Sequence, residues 1–238
     1  MKKRIKTKRK TFFQKFWKWT KRIFIFLFIA QLAYIILLKW LDPPITLTQL
    51  SSWIRGYGLE RDYVGGKKIS VNAKLAFIAS EDQLFPDHNG FDFKSIKKAM
   101  KHNRKSKSLH GASTISQQTA KNVFLWQGRS WVRKGLEVYF TFMIELVWGK
   151  KRILEVYMNV AETGKGVFGI EAAAKKYFNK PAKNLTRNEA AMIAASLPNP
   201  KKYTVKPLSG RVASRSAWIL QQMNNIYEDP DIQILILQ

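Results

Sequence analysis

The chain has no cysteine. That excludes a disulfide framework, a thiolate zinc site and a cysteine nucleophile together. Histidine is almost as scarce, since His88, His102 and His110 are the whole supply, and three leave little for a His-based metal centre. Acid is missing from residues 1–41, which hold 12 of the 42 Lys and Arg and no Asp or Glu. Clean alternation is missing too, so strand signals are weak, and there is no internal repeat. No Walker loop, G-x-G-x-x-G or H-E-x-x-H occurs. What remains is ample for a core: 46% of the 238 residues are hydrophobic, which excludes wholesale disorder and suits one domain with appendages.

The formal net charge is +26. The basic leader does not account for all of it, because the rest of the chain sets 30 basic residues against 16 acidic ones. The folded part should therefore present a positive surface to an anionic partner: nucleic acid, phospholipid or a phosphorylated substrate. The first 22 residues carry 11 Lys and Arg, and IFIFLFIAQLAYIILL follows with only Gln31 and Tyr34 as polar interruptions. Counted through Lys39, which can snorkel, to Leu41, the apolar stretch is long enough to cross a hydrocarbon core of about 30 Å. It lacks the polar stripe of a core helix, and no A-x-A-like cleavage site precedes Asp42-Pro43-Pro44. The expected organisation is a basic cytoplasmic tail at 1–22, an uncleaved transmembrane anchor at 23–41 and a domain at 45–238 outside the membrane, by the positive-inside rule. Export weighs against nucleic acid and favours a lipid-linked anion.

Beyond Pro44 the periodicity predicts a mainly α domain. Ile96, Ala99 and Met100 share a helical side, but residues 94–107 hold seven Lys or Arg and read as a solvated loop or a membrane-surface contact. Ser113 is a candidate N-cap for the helix of STISQQTAKNVFL. A long helix is expected from Ser130 to about Val147, and KRILEVYMN places Ile153, Leu154, Tyr157 and Met158 inward. Thr186 and Glu189 have capping-box spacing, and Gly210 to Tyr227 reads as the last helix, stopped by Asp229-Pro230.

Three stretches could carry chemistry. In EDQLFPDHNGFD, an apolar run ends at Glu81, where desolvation can raise a carboxylate's pKa toward a value useful for proton transfer. Asp87, Asn89-Gly90 and Asp92 fit turn formation and capping, and a divalent metal among Glu81, Asp82, His88 and Asp92 is a third option without dedicated ligand spacing. GASTISQQTAKN offers backbone and side-chain donors at a helix start, suited to phosphate or sugar hydroxyls, although such residues also cap ordinary helices. In GRSWVRKGLE, Arg129, Arg133 and Glu137 stand four apart on one face with Lys134 beside them. This is either surface ion pairing or, with Lys121, a diphosphate clamp ordered by Glu137.

Taken in order, EDQLFPDHNGFD, GASTISQQTAKN, RKGLEVYFTFMIE, KKRILEVYMN, GVFGIEAAAKKYF and LTRNEAAMIAASLPNP resemble the peptidoglycan glycosyltransferases, in particular the monofunctional biosynthetic transglycosylases. Ala112 and Ser116 stand where the commonest form of the second block has glycine and threonine. The resemblance implies a lysozyme-like helical domain that polymerises lipid II, with release of undecaprenyl diphosphate and inversion. It implies Glu81 as general base on the attacking 4-hydroxyl and Glu137 as the second essential carboxylate. Lys121, Arg129 and Arg133 would neutralise the leaving group, with Lys134 beside them. Ser113, Thr114, Gln117 and Gln118 would shape the donor site, and Asp82, Phe85 and His88 belong to the same substrate-binding set. No protein-held metal ligand is assigned. Magnesium or manganese would assist at the diphosphate, with no organic cofactor. Implied partners are lipid II, the growing lipid-linked strand, membrane lipid and other cell-wall synthesis or division proteins, at the inner membrane. Two rivals are a lytic enzyme on the same fold, which has no use for a diphosphate clamp, and a non-catalytic basic membrane protein.

Overall fold

The computed structural model describes residues 12–105, 111–128 and 130–237. They divide into two compact units after Leu41. The first is a single helix, α1 (Phe12–Leu37), long and apolar enough to cross a membrane. It begins inside the stretch read as the basic tail. Neither Gly nor Pro occurs between Phe12 and Leu37, so nothing interrupts helical hydrogen bonding where the composition changes from basic to apolar.

The second unit runs through α2 (Leu47–Ile54), β1 (Glu60–Arg61), α3 (Val71–Glu81), α4 (Phe93–Lys105), α5 (Ile115–Phe124), α6 (Trp131–Val147) and α7 (Lys150–Val160). It continues with β2 (Glu162–Gly164), β3 (Val167–Phe168), α8 (Ile170–Phe178), α9 (Arg187–Ser196), α10 (Gly210–Ile226) and α11 (Pro230–Ile236). Single 3-10 turns at Gly66–Lys68 and Ala182–Asn184 link these elements. The architecture is mainly α, as the periodicity predicts.

The core is built around α3, which packs on α9 and α10 and is buried at every position from Ala73 to Ala79. Apart from Lys74 this stretch is apolar on all sides, and such a helix belongs inside a domain. Its Ser70 cap accepts the Ala73 N–H at 3.0 Å, which fixes where the helix begins; it ends at Glu81, with Asp82 as the C-cap. A second layer forms where α5 packs against α6 and α7. The Phe77 and Tyr157 rings meet edge to face, with centroids 5.9 Å apart, and join α3 to α7. Each fully buried large side chain of this kind contributes about 1.5–3 kcal/mol.

The structure departs from the sequence expectations in four places. The N-cap of α5 is Thr114, not Ser113. The basic stretch from residue 94 is helical to Lys105, because the Asp92 carboxylate caps it by accepting the Ser95 N–H at 2.9 Å; residues 106 and 107 lie outside the described residues. Asp229-Pro230 stops α10 but also starts α11, since Asp229 accepts the N–H groups of Asp231 and Ile232 and Pro230 supplies a preset first-turn φ. A small sheet, ordered β1-β3-β2, pairs β1 parallel and β2 antiparallel with β3. Its strands of two or three residues are too short to show alternation in sequence.

Candidate active site

Glu81 is the last residue of α3 and is half-buried. Its Oε2 accepts the Gln118 Nε2–H at 2.8 Å, and its Oε1 accepts the Ser80 hydroxyl at 3.2 Å. Both donors are neutral. Gln118 is held in turn by the fully buried Tyr157, whose hydroxyl donates to Gln118 Oε1 at 3.1 Å. Burial, followed by the charges of Glu81 and Asp82, raises the Tyr157 pKa well above its usual value, so its hydroxyl stays a donor.

The other acids of the stretch build the loop that presents Glu81. Asp82 is buried, accepts the Ile115 N–H at 3.0 Å and lies 3.0 and 3.2 Å from His88 Nε2 through its two oxygens. A carboxylate at the first turn of α5 also suits the positive end of that helix. Thr114 and Gln117 close a reciprocal capping box, and the Thr114 hydroxyl donates to the Gly90 carbonyl at 2.7 Å. Gly90 has φ +86°, and a Cβ there would lie 2.7 Å from Thr141 Cγ2, so only glycine lets the loop lie this close to α6. Below the loop, the Glu145 carboxylate accepts from Ser116 Oγ at 2.5 Å and from Lys150 Nζ at 2.7 Å, while Lys150 stands over the Phe85 ring.

The basic end is carried by α6. Ser130 caps it by accepting the Arg133 N–H at 3.1 Å. One turn on, Glu137 is buried and takes a cation on each oxygen, Arg133 Nη1 at 2.8 Å and Lys134 Nζ at 2.5 Å. Lys121 lies near enough to both glutamates to feel their charge. Its pKa is lowered chiefly by burial; Glu137 and then Glu81 act against this, while Arg133 and Lys134 add to it.

Two clefts open at this site. One, of about 450 Å³, is lined by Glu81, Asp92, Ser95, Ser113 and Trp218. The other, of about 320 Å³, is lined by Gln118, Lys121, Asn122, Tyr157, Arg55 and Lys201. Of the residues singled out in the sequence, Glu81, Asp82, Ser113, Thr114, Gln118 and Lys121 line these clefts, and Arg133, Lys134 and Glu137 form the ion-paired group beside Lys121. Gln117 is buried in its capping box and Phe85 is wholly enclosed, so these two build the framework, while Thr114, though mostly buried in the same box, edges the Glu81 cleft. Asp82 and His88 spend their facing atoms on each other. Arg129 lies outside the described residues. Sequence reasoning missed Tyr157, Arg55, Lys201 and Trp218. The signal for Tyr157 was a hydroxyl at an inward position, which demands a buried partner; Arg55 and Trp218 stand far from the motifs, and Lys201, just past the last block, gave no local signal.

A model of the transglycosylase family matches residues 48–224, a span that contains all six sequence blocks. The chain is 50% identical over 222 residues to a Yersinia pestis (strain Pestoides F) protein named biosynthetic peptidoglycan transglycosylase, covering 90% of this chain and 92% of that one. It is 57% identical over 189 residues to proteins of the same name from Shigella boydii and Escherichia coli, covering 78% of each chain. These matches agree with the mainly α, lysozyme-like architecture expected from the resemblance. The chain belongs to the transglycosylase family.

Proposed function

We propose that this peptidoglycan glycosyltransferase polymerises lipid II into glycan strands, with Glu81 as the base. The observation that carries the reading is one carboxylate held only by neutral donors beside a cleft, with Lys121 feeling both its charge and that of a cationic pair fixed on Glu137. In the reaction, the 4-hydroxyl oxygen of one lipid-linked disaccharide forms a bond to the anomeric carbon of the growing strand. The bond from that carbon to the diphosphate oxygen breaks on the opposite face, and the configuration inverts. The hydroxyl proton passes to Glu81. Undecaprenyl diphosphate leaves as an anion, so it needs cations rather than an acid, and Lys121, Arg133 and Lys134 meet its charge. Glu137 keeps Arg133 and Lys134 in position between turnovers.

A metal fits less well. Both Glu137 oxygens are already bound to cations, and the described residues hold no group of three or more His, Asp or Glu able to bind an ion. No step of this mechanism is routed through one.

Membrane attachment is part of the proposal. An N-terminus in the cytoplasm and α1 across the inner membrane would place the second unit at its outer surface, where a lipid-linked substrate is found. Trp131, Val132, Phe142 and Leu146 of α6 are exposed, a surface suited to lipid.

The test is glycan-strand formation from labelled lipid II by the full chain in detergent, beside Glu81→Gln. The wild type is expected to make polymer and the variant to lose about 10²–10⁴-fold in rate. Absence of polymer from a folded wild-type chain, or release of fragments from preformed strands, would overturn the reading.

A further inference from the structure

Behind the site, on the other face of α7, lies a cavity of about 610 Å³ that shares no lining residue with the two clefts at Glu81. The face follows from helical spacing. Lys151, Leu154, Glu155 and Met158 recur at three- and four-residue steps along one side of α7, while Tyr157 points to Gln118 on another.

The cavity has an unusual chemistry. Five cations line it: Lys67, Lys68, Lys74, Lys151 and Arg152. Glu155 is its one acidic lining residue, and its oxygens are already engaged, one by the Gly66 N–H at 2.5 Å and the other by Arg152. Neither Lys67 nor Lys68 pairs with a carboxylate among the described residues. Lys74 is only 6% exposed and donates to the Ile236 carbonyl at 3.2 Å. Burial is the main influence lowering its pKa; Glu155 opposes the shift and Lys151 adds to it. With Lys74 buried among exposed Lys67, Lys68 and Lys151, the crowding of like charge makes this wall favour an incoming anion.

The rest of the lining is apolar, from the lysine stems and the edges of Ile69, Leu154 and Leu235, while Met158 closes the cavity behind them and is itself fully enclosed. A free phosphate would engage the cations and leave this surface wet. A headgroup phosphate with the upper part of an acyl chain would satisfy both. The volume lies within the range of about 300–1,000 Å³ usual for sites that enclose small ligands. The setting fits as well: Arg152 Nη1 lies 3.2 Å from Asp42 Oδ1, and Asp42 follows the apolar segment directly in the sequence, so chain connectivity keeps this residue near any bilayer that holds the anchor.

We propose that this cavity binds one anionic phospholipid, its phosphate on the lysine-rich rim and an acyl chain on the apolar floor. The site is independent of glycosyl transfer at Glu81.

The test uses the full chain in neutral detergent with a phosphatidylglycerol that carries a photoactivatable group in its acyl chain. Cross-links are mapped by peptide mass spectrometry, which separates the cavity from α1 and α6. Labelling is expected within residues 65–69 or 151–155, or on Leu235. It should compete with unlabelled phosphatidylglycerol but not with inorganic phosphate, and should fall by about tenfold or more in Lys67→Glu combined with Lys151→Glu. Both lysines are exposed, and an unchanged thermal midpoint verifies that the double variant is folded. Labelling confined to other segments, equal labelling by a matched phosphatidylcholine probe, displacement by inorganic phosphate, or full labelling of the folded double variant would each overturn the proposal.

Discussion

Glu81 and Glu137 are the same side chain in opposite settings. Glu81 ends a core helix, is half-buried, and receives hydrogen bonds only from an amide and a hydroxyl. Glu137 is buried within α6 with a guanidinium on one oxygen and an ammonium on the other. On the proposed mechanism, the contrast gives one residue type two tasks. Neutral partners orient Glu81 without cancelling its charge, so a proton can be accepted there. Cationic partners commit Glu137 to holding those cations, which it would release toward a stronger anion such as a diphosphate.

The same substitution should therefore read differently at the two positions. Glu81→Gln is expected to lose about 10²–10⁴-fold in polymerisation rate and to keep its thermal midpoint, because the amide can still pack beside Gln118. Glu137→Gln is expected to lose activity and also to unfold earlier. Its neutral amide leaves Arg133, whose side chain is 11% exposed, without a carboxylate, at a cost on the order of 1–3 kcal/mol. Calorimetry beside the lipid II assay checks both, and equal midpoints for the two variants would break the comparison.

A smaller effect concerns Lys121, which feels both charges. Because Lys121 titrates below the ordinary lysine value of 10.5, it is charged below its folded pKa and loses that charge as pH rises through it. Activity that needs this cation should show an alkaline limb below the usual lysine range. The stability sign is opposite: the unfolded chain holds the proton more tightly, so the cost of burying the cation is present at low pH and is relieved as pH rises between the two pKa values. Lys121→Ala is expected to cost about 10²-fold in kcat/KM. Lys121→Arg, which stays charged, should move the limb upward. A limb unchanged in the arginine variant would assign it elsewhere.

The sequence showed most of this in parts that repeat locally. Capping-box spacing at Thr186 and Glu189, the Ser130 start of α6 and the inward set on α7 are read within one or two helical turns, and the structure has them as expected. The Arg133–Glu137 pair is an i,i+4 relation, equally local. What stayed hidden is contact between distant segments. Asp82 reaches Ile115, and Tyr157 reaches Gln118, across 33 and 39 residues respectively. Phe85 was assigned to the substrate on its motif alone, yet it is enclosed beneath Lys150, 65 positions further along. No local spacing carries such information, because tertiary packing decides which face of a loop is covered.

Tyr157 gives the finest cut through the comparison. If neutral orientation is what distinguishes Glu81, removing the hydroxyl that fixes Gln118 should loosen the base without touching the cationic end. Tyr157→Phe keeps the ring against Phe77 and deletes only the donor to Gln118 Oε1. The expected loss of stability is about 1 kcal/mol, and the loss in kcat about tenfold, because Gln118 can rotate its amide once the hydrogen bond is gone. KM for lipid II should stay near that of the wild type, since Lys121, Arg133 and Lys134 still meet the diphosphate. Gln118→Ala should lower kcat at least as far, and the double variant should be no slower than Gln118→Ala alone, because the tyrosine acts through the glutamine. A Tyr157→Phe variant that raised KM, or whose effect simply added to that of Gln118→Ala, would show that Tyr157 meets the substrate itself and that Glu81 is oriented by other means.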